Sequence, residues 1–215
     1  SWPGGRWLGN SEVRMRQETA GVTEALLDSA KKEFLKYGFH DASLRRISAD
    51  SGVSTNSIYT RFKDKSGLFS AVVEPVADGL MNMYIKFIGA AADSGNTDKA
   101  EAFGEQGTEQ VLKYIYDNFD IFQLIFCCSA GTEYENYFDS LVAIEEKYYR
   151  IFVDQYSTVD NRVNDFFIHV MCSAGWRYIY EIVTHKLEYK DAVGLMSHIQ
   201  TFNQAGWRAV IEGDR

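Results

Sequence analysis

Apolar side chains recur along most of the chain at three- and four-residue intervals, the spacing of helices with one buried face. From Val22 to Tyr37 the stripe is Val22, Leu26, Ala30, Phe34 and Tyr37, widened by Leu27 and Leu35. Gly38 follows, where a left-handed residue closes a helix. Ser43 is placed to cap a short second helix carrying Leu44 and Ile47, with a small face at Ser48 and Ser51. Gly52-Val53 reads as a tight turn, and Ser54 as the cap of a third helix ending at Phe62. That helix turns Ile58 and Phe62 inward, with Tyr59 beside them, and leaves Thr55, Asn56, Ser57, Thr60 and Arg61 outside. Short hydrogen-bonding groups suit base edges and phosphate oxygens, whereas a merely solvated helix is usually rich in Glu and Lys. The periodicity leaves both readings open: a face for a duplex groove, or a polar surface helix beside a turn.

Lys63-Asp64-Lys65-Ser66 is the next loop and cap, leading into a long helix from about Gly67 to Ala91. Pro75 lies inside it and has no N–H for the carbonyl of Ala71, which predicts a kink or local break. Residues 92–108 are polar and glycine-bearing and are expected to be a linker. Val111 to Cys128 is apolar on most sides, and Glu135 to Tyr156 carries a stripe of Leu141, Ile144, Tyr148 and Phe152. Two long helices, Asp160 to Thr184 and Tyr189 to Ile211, are joined by a short connection.

The composition agrees with an all-α chain. Only 2 prolines and 17 glycines in 215 residues leave little punctuation for a many-turned β protein. No apolar run approaches the ~18–20 residues that cross a bilayer, and the opening SWPGGRWLGN lacks a secretory apolar region, so a cytoplasmic location is expected. Residues 1–21 are expected to be a flexible arm or a remnant of cloning.

Charge is unevenly placed. Residues 1–75 hold 11 Lys/Arg against 9 Asp/Glu, a net of +2, and residues 76–215 hold 11 against 21, a net of −10. A mildly basic head on an acidic body is compatible with a head that touches phosphates. Cys127, Cys128 and Cys172 are odd in number and form no C-x-x-C pair, which argues against a disulfide framework or zinc ribbon. His169 and Cys172 share ligand-like spacing, but burial is the default for such residues, and no metal or cofactor is expected. There is no H-E-x-x-H, G-x-S-x-G or phosphate-binding glycine loop, so the chain is not expected to be an enzyme.

The segment ALLDSAKKEFLKYGFHDASLRRISADSGVSTNSIYTRFKDKSGLF resembles the DNA-binding head of the tetracycline-repressor family of transcription regulators. The resemblance rests on Gly38-Phe39, Ser43, Ile47, Gly52-Val53-Ser54, Ile58-Tyr59, Phe62, Lys65 and Leu68-Phe69 in their ordered spacing. It departs at Ser48, where most members carry Ala, and at Asn56, where Gly is frequent. The resemblance implies an all-α protein with a helix-turn-helix head over residues 22–69. Residues 70–215 would then form a larger helical domain for effector binding and dimerisation. It places Ser54, Thr55, Asn56, Ser57, Tyr59 and Thr60 on the recognition helix, with Thr55 and Asn56 reaching bases and Tyr59 lying along a phosphate. Ser43 and Arg45 would clamp the DNA backbone, and Arg61 and Lys65 would contact phosphates.

For the remainder, the resemblance implies a homodimer built on the last two helices. Phe167, Val170, Ala174, Leu195, Ile199 and Phe202 are apolar enough to form its interface, although an intrachain core would use the same residues. Two recognition helices about 34–36 Å apart imply a palindromic operator. A small-molecule effector, apolar or aromatic, would bind between residues 84 and 180. The aromatic supply there includes Tyr116, Phe119, Phe122, Phe126, Tyr134, Tyr137, Phe138 and Phe152, with Gln123, Glu133 or Glu135 as polar anchors. The expected function is a ligand-released repressor, with Pro75 as a place where body motion reaches the head. The alternative keeps the fold but works through a protein partner or through oxidation of Cys127 and Cys128.

Overall fold

The computed structural model describes residues 10–95, 97–157 and 163–212, apart from the side chains of residues 10–20 and of 97, 98, 100, 101, 103 and 212. Among the described residues it contains nine helices and no strand, and none of these helices is long and apolar enough to cross a membrane. The chain divides into two compact units, at Val72 and Val73.

The first unit holds α1 (Asn10–Asp41), α2 (Leu44–Ser51), α3 (Thr55–Phe62) and the opening of α4 (Lys65–Ala92). Helix α1 begins well ahead of Val22, and residues 1–9 of the expected arm lie outside the described residues. Its apolar stripe is buried: Leu26, Ala30 and Phe34 meet Ile47, Val53, Ile58, Leu68 and Phe69 in one small core. Phe34, Phe39 and Phe69 form a ring cluster with centroids 5.0–6.2 Å apart. Burying each Leu, Ile or Phe contributes roughly 1.5–3 kcal/mol, so this cluster fixes how α1 meets the start of α4. Gly38 sits at φ 71°, a conformation costly for other residues, and breaks α1 before its last turn.

The second unit holds the rest of α4 with α5 (Thr97–Asp117), α6 (Phe119–Cys127), α7 (Tyr137–Tyr156), α8 (Asp165–Thr184) and α9 (Tyr189–Glu212). Three expectations change here. Helix α4 continues through Pro75 without a break, losing only the bond that residue cannot donate. The expected linker over 92–108 is helical from Thr97, and its Gly107 faces Phe87, where a Cβ would stand 3.2 Å from the Phe87 Cβ. The glycine there permits a close helix approach instead of marking a loop. The apolar run 111–128 divides at Asn118, whose side chain donates to the Tyr114 carbonyl at 3.0 Å and competes with the backbone ladder.

Helices α7 and α8 make the most extensive pairing; α8 also packs on α6, and α9 packs on α5 and α7. Tyrosine hydroxyls tie the unit across long sequence distances: Tyr137 to the Ala77 carbonyl at 2.7 Å, Tyr116 to Leu187 at 2.6 Å, and Tyr114 to Val76 at 3.1 Å. Burial pushes the Tyr137 hydroxyl strongly up from its ordinary value, so it remains a hydrogen-bond donor.

Candidate functional site

The first unit presents α3 as a capped, short helix on a rigid corner. Ser54 accepts the Ser57 N–H at 3.1 Å and fixes the helix start, while Gly52, at φ 71°, turns the chain out of α2 and donates to the Ser48 carbonyl. At the other end Lys63 takes φ 68° and donates to Tyr59, and the Asp64 carboxylate accepts the Gly67 N–H at 2.8 Å to open α4. A Cβ on Gly67 would lie 2.0 Å from the Phe62 carbonyl oxygen, so the α3–α4 corner closes only over glycine.

Helix α2 is held by Glu33 of α1. One carboxylate oxygen, Oε1, accepts the Ser43 backbone N–H and the Arg46 Nε, both at 2.8 Å, and lies 2.6 Å from Arg46 Nη2. Burial pushes this carboxyl up, but the Arg46 and Ser43 bonds together outweigh it and hold the group below its ordinary value. Ser29 Oγ also bonds Asp50 at 2.6 Å, a second tie between α1 and α2.

On this frame Ile58 is buried, whereas Asn56, Tyr59, Thr60 and Arg61 are exposed and Thr55 and Ser57 half-buried. Tyr59 has 54% of its surface open, notable for so large a ring. Arg61 donates one bond to Thr23 Oγ1 at 3.0 Å. Lys65 gives two of its three donors to the carbonyls of His40 and Ala42, at 2.7 and 3.2 Å, with its ammonium over the Phe39 ring. Ser43 and the exposed Arg45 stand at the N-terminus of α2.

Residues 26–72 match the family model of bacterial regulatory proteins of the tetR family. Over these residues the chain is similar to the tetR family. Among curated proteins it is 30% identical over 95 residues to the HTH-type transcriptional regulator BetI of Klebsiella pneumoniae (strain 342), covering 44% of this chain and 45% of that protein. BetI of Escherichia coli O17:K52:H18 (strain UMN026 / ExPEC) is 29% identical over 114 residues, covering 53% of this chain and 48% of its own length. The chain thus spans about half the length of the curated relatives it matches. A solved structure of a transcriptional regulator from Pseudomonas aeruginosa PAO1 aligns over 88% of this chain and 93% of its own, with TM-score 0.56 and 16% identity, which shows the fold.

The second unit, which lies outside the matched residues, contains a cavity of about 280 Å³. Its walls come from five helices: Tyr84, Phe87 and Ile88 of α4, Thr108 and Val111 of α5, Glu145, Tyr148, Tyr149 and Phe152 of α7, Gly175, Trp176 and Ile179 of α8, and Met196, Ile199, Asn203 and Trp207 of α9. Aromatic contacts brace it, with Tyr84 against Trp176 and Tyr149 against Trp207, each at 4.9 Å. Three polar atoms on these walls, Glu145 Oε2, Trp176 Nε1 and Asn203 Oδ1, are covered and have no hydrogen-bond partner. Glu145 is half-buried as a residue but has its Oε2 covered, whereas Glu105 and Arg208 stand exposed at the rim and Glu105 accepts from Gln204 at 2.7 Å. Burial pushes the Glu145 carboxyl up to about 8, against the smaller downward pull of Tyr84 and Trp176.

Of the aromatic residues expected around an effector, Phe152 lies on this cavity. Phe126, Tyr134 and Phe138 line a second hollow with Arg177 and Tyr180, while Phe122 and Tyr137 are buried and Tyr116 packs on Phe119 and Tyr189. Of the anchors, Gln123 is half-buried, and Glu133 and Glu135 are exposed, the latter on the second hollow. His169 meets Glu146 at 2.6 Å, and Cys172 is buried nearby.

The sequence reading missed Glu145, Tyr84, Trp176 and Asn203. A signal for Glu145 was present: Leu141, Glu145, Tyr149 and Phe152 share a helical face, and a carboxylate within an apolar stripe is worth attention. Of the apolar residues expected at a dimer interface, Val170, Leu195 and Phe202 are exposed, the last by 72%; Phe167, Ala174 and Ile199 are half-buried, and Ile199 lies on the cavity wall.

Proposed function

We propose that this protein is a transcriptional regulator that binds a palindromic operator as a homodimer and is released from it by a small molecule. The observation that carries the reading is the face of α3, where Asn56, Tyr59 and Thr60 project from a helix fixed at both ends by Ser54 and the Gly67 corner. Thr55 and Asn56 read base edges, Tyr59 lies along a phosphate, and Ser54, accepting from the Ser57 N–H, caps the helix end that meets the duplex. Ser43 and Arg45 at the start of α2 clamp the backbone, helped by the helix terminus itself. Arg61 and Lys65 use only some of their donors inside the protein, which holds the two cations in place for phosphates.

A second copy of the chain covers α8 and α9, whose Phe166 and Phe202 are 74% and 72% exposed. The effector occupies the cavity between α4, α5, α7, α8 and α9 and acts by binding one arrangement of the dimer more tightly than the other. Selection from a random duplex library tests the reading. It is expected to yield a palindrome whose half-sites lie about one helical turn apart, roughly 34–36 Å. Recovery of unrelated sequences would overturn it.

A further inference from the structure

The cavity in the second unit has a feature that an ordinary apolar pocket lacks. Its walls are aromatic, yet α7 brings into them a carboxylate whose Oε2 is covered and unbonded. An unpaired buried carboxylate is costly when ionised and is normally matched by a cation or by protein donors. Among the described residues that line the cavity, no cation meets this carboxylate. The lining Arg208 is exposed at the rim, and the Tyr84 hydroxyl and Trp176 indole leave Oε2 unsatisfied. Gly175 of α8 faces the carboxylate, and a Cβ at that position would stand 3.9 and 4.0 Å from its two oxygens. The absent side chain leaves the approach open. Tyr84, Tyr149 and Trp176 also line the cavity, and aromatic rings attract a cation through their faces.

We propose that the cavity takes an apolar organic cation, an amine or quaternary ammonium carried on a hydrophobic body, with Glu145 as its counter-charge. This rests on the reading of the cavity as the effector site and names the chemistry of the effector. In the free protein the carboxyl is held protonated at neutral pH by burial. Entry of the cation restores the carboxylate, and the proton leaves to solvent; only the O–H bond of Glu145 breaks.

The titratable neighbours do not substitute for it. Burial raises Tyr84 of α4, Tyr149 of α7 and Cys172 of α8, so all three remain neutral. Glu146 of α7 is engaged with His169 of α8, and Glu105 of α5 and Arg208 of α9 are at the rim.

The test compares benzyltrimethylammonium with neopentylbenzene, which has the same shape without the charge. Binding is followed at pH 7 by the fluorescence of Trp176 and Trp207, and proton release by calorimetry in buffers of different ionisation enthalpy. Wild-type protein is expected to prefer the cation by at least about tenfold. It is also expected to release close to one proton. Glu145→Gln, which mimics the protonated form and so keeps the fold, is expected to lose both the preference and the proton release. Equal binding of the two probes to wild type, or a preference retained by the Gln variant, overturns the cation assignment. If the neutral probe binds and releases operator DNA, the effector reading survives that result. If neither probe binds, the assignment falls, and the effector reading is then tested separately by operator release with neutral and anionic compounds.

Discussion

Gly67→Ala is the sharpest perturbation of the first unit. Its added methyl would lie 2.0 Å from the Phe62 carbonyl oxygen and 3.1 Å from the carbonyl carbon. Non-bonded heavy atoms settle at about 3.5–4.0 Å, so the corner must open by more than about an ångström. The atom struck belongs to the backbone and cannot rotate away. Relief requires moving the last turn of α3, the Lys63 residue at φ 68°, and the Asp64 carboxylate that accepts the Gly67 N–H. Overpacking of this kind costs roughly 1–3 kcal/mol or more, a large part of a domain's ~5–15 kcal/mol. Gly206→Ala in α9 is the control, because no atom lies within 4 Å of its added Cβ. There alanine is the better helix former by up to about 1 kcal/mol. Urea denaturation and amide exchange across residues 63–68 read the stability, and anisotropy on a selected duplex reads the function. Gly67→Ala is expected to expose the corner amides and weaken DNA binding about tenfold or more, a cost near 1.4 kcal/mol. Wild-type stability and affinity in Gly67→Ala would refute the reasoning.

Three further changes probe separate parts of the account. Ser54→Ala removes the acceptor of the Ser57 N–H and is expected to cost about 1 kcal/mol and speed exchange at that amide, whereas Ser54→Asp keeps the cap; an unchanged exchange rate would contradict it. Glu145 holds a proton in the folded chain up to about pH 8 that the unfolded chain gives up near 4.5, so its contribution is full at low pH and drains as pH rises through that window. Glu145→Gln should therefore gain several kcal/mol relative to wild type between pH 5 and pH 8.5, and parallel denaturation profiles would argue against it. Phe202→Glu replaces a side chain with 72% of its surface exposed, so the fold should survive while light scattering shows one chain mass in place of two; a persisting dimer would move the interface elsewhere.

The head was legible because its determinants are local. Caps at Ser43 and Ser54, left-handed glycines and a short apolar stripe are each written within a few residues. They agree with one another and with Leu26, Ala30 and Phe34 in the core. The second unit was less legible. Gly107 reads as a loop residue in isolation, and only the position of Phe87 on another helix shows why it belongs in α5. Asn118 divides an apolar run by a side-chain bond that composition does not announce. The cavity collects single residues from five helices, so the abundance of aromatics between 114 and 152 did not indicate which ones face it. Glu145 was passed over because its neighbours supplied an apolar stripe that needed no charge.

The most direct measurement of the central claim, that α3 reads base sequence, is the affinity of wild type and Asn56→Ala for a selected duplex and a scrambled one across a salt series. The account predicts that wild type prefers the selected duplex, and that Asn56→Ala loses about 1–3 kcal/mol of that preference while its salt slope stays the same. Equal affinity of wild type for both duplexes, or full discrimination in Asn56→Ala and Thr55→Ala alike, would contradict it.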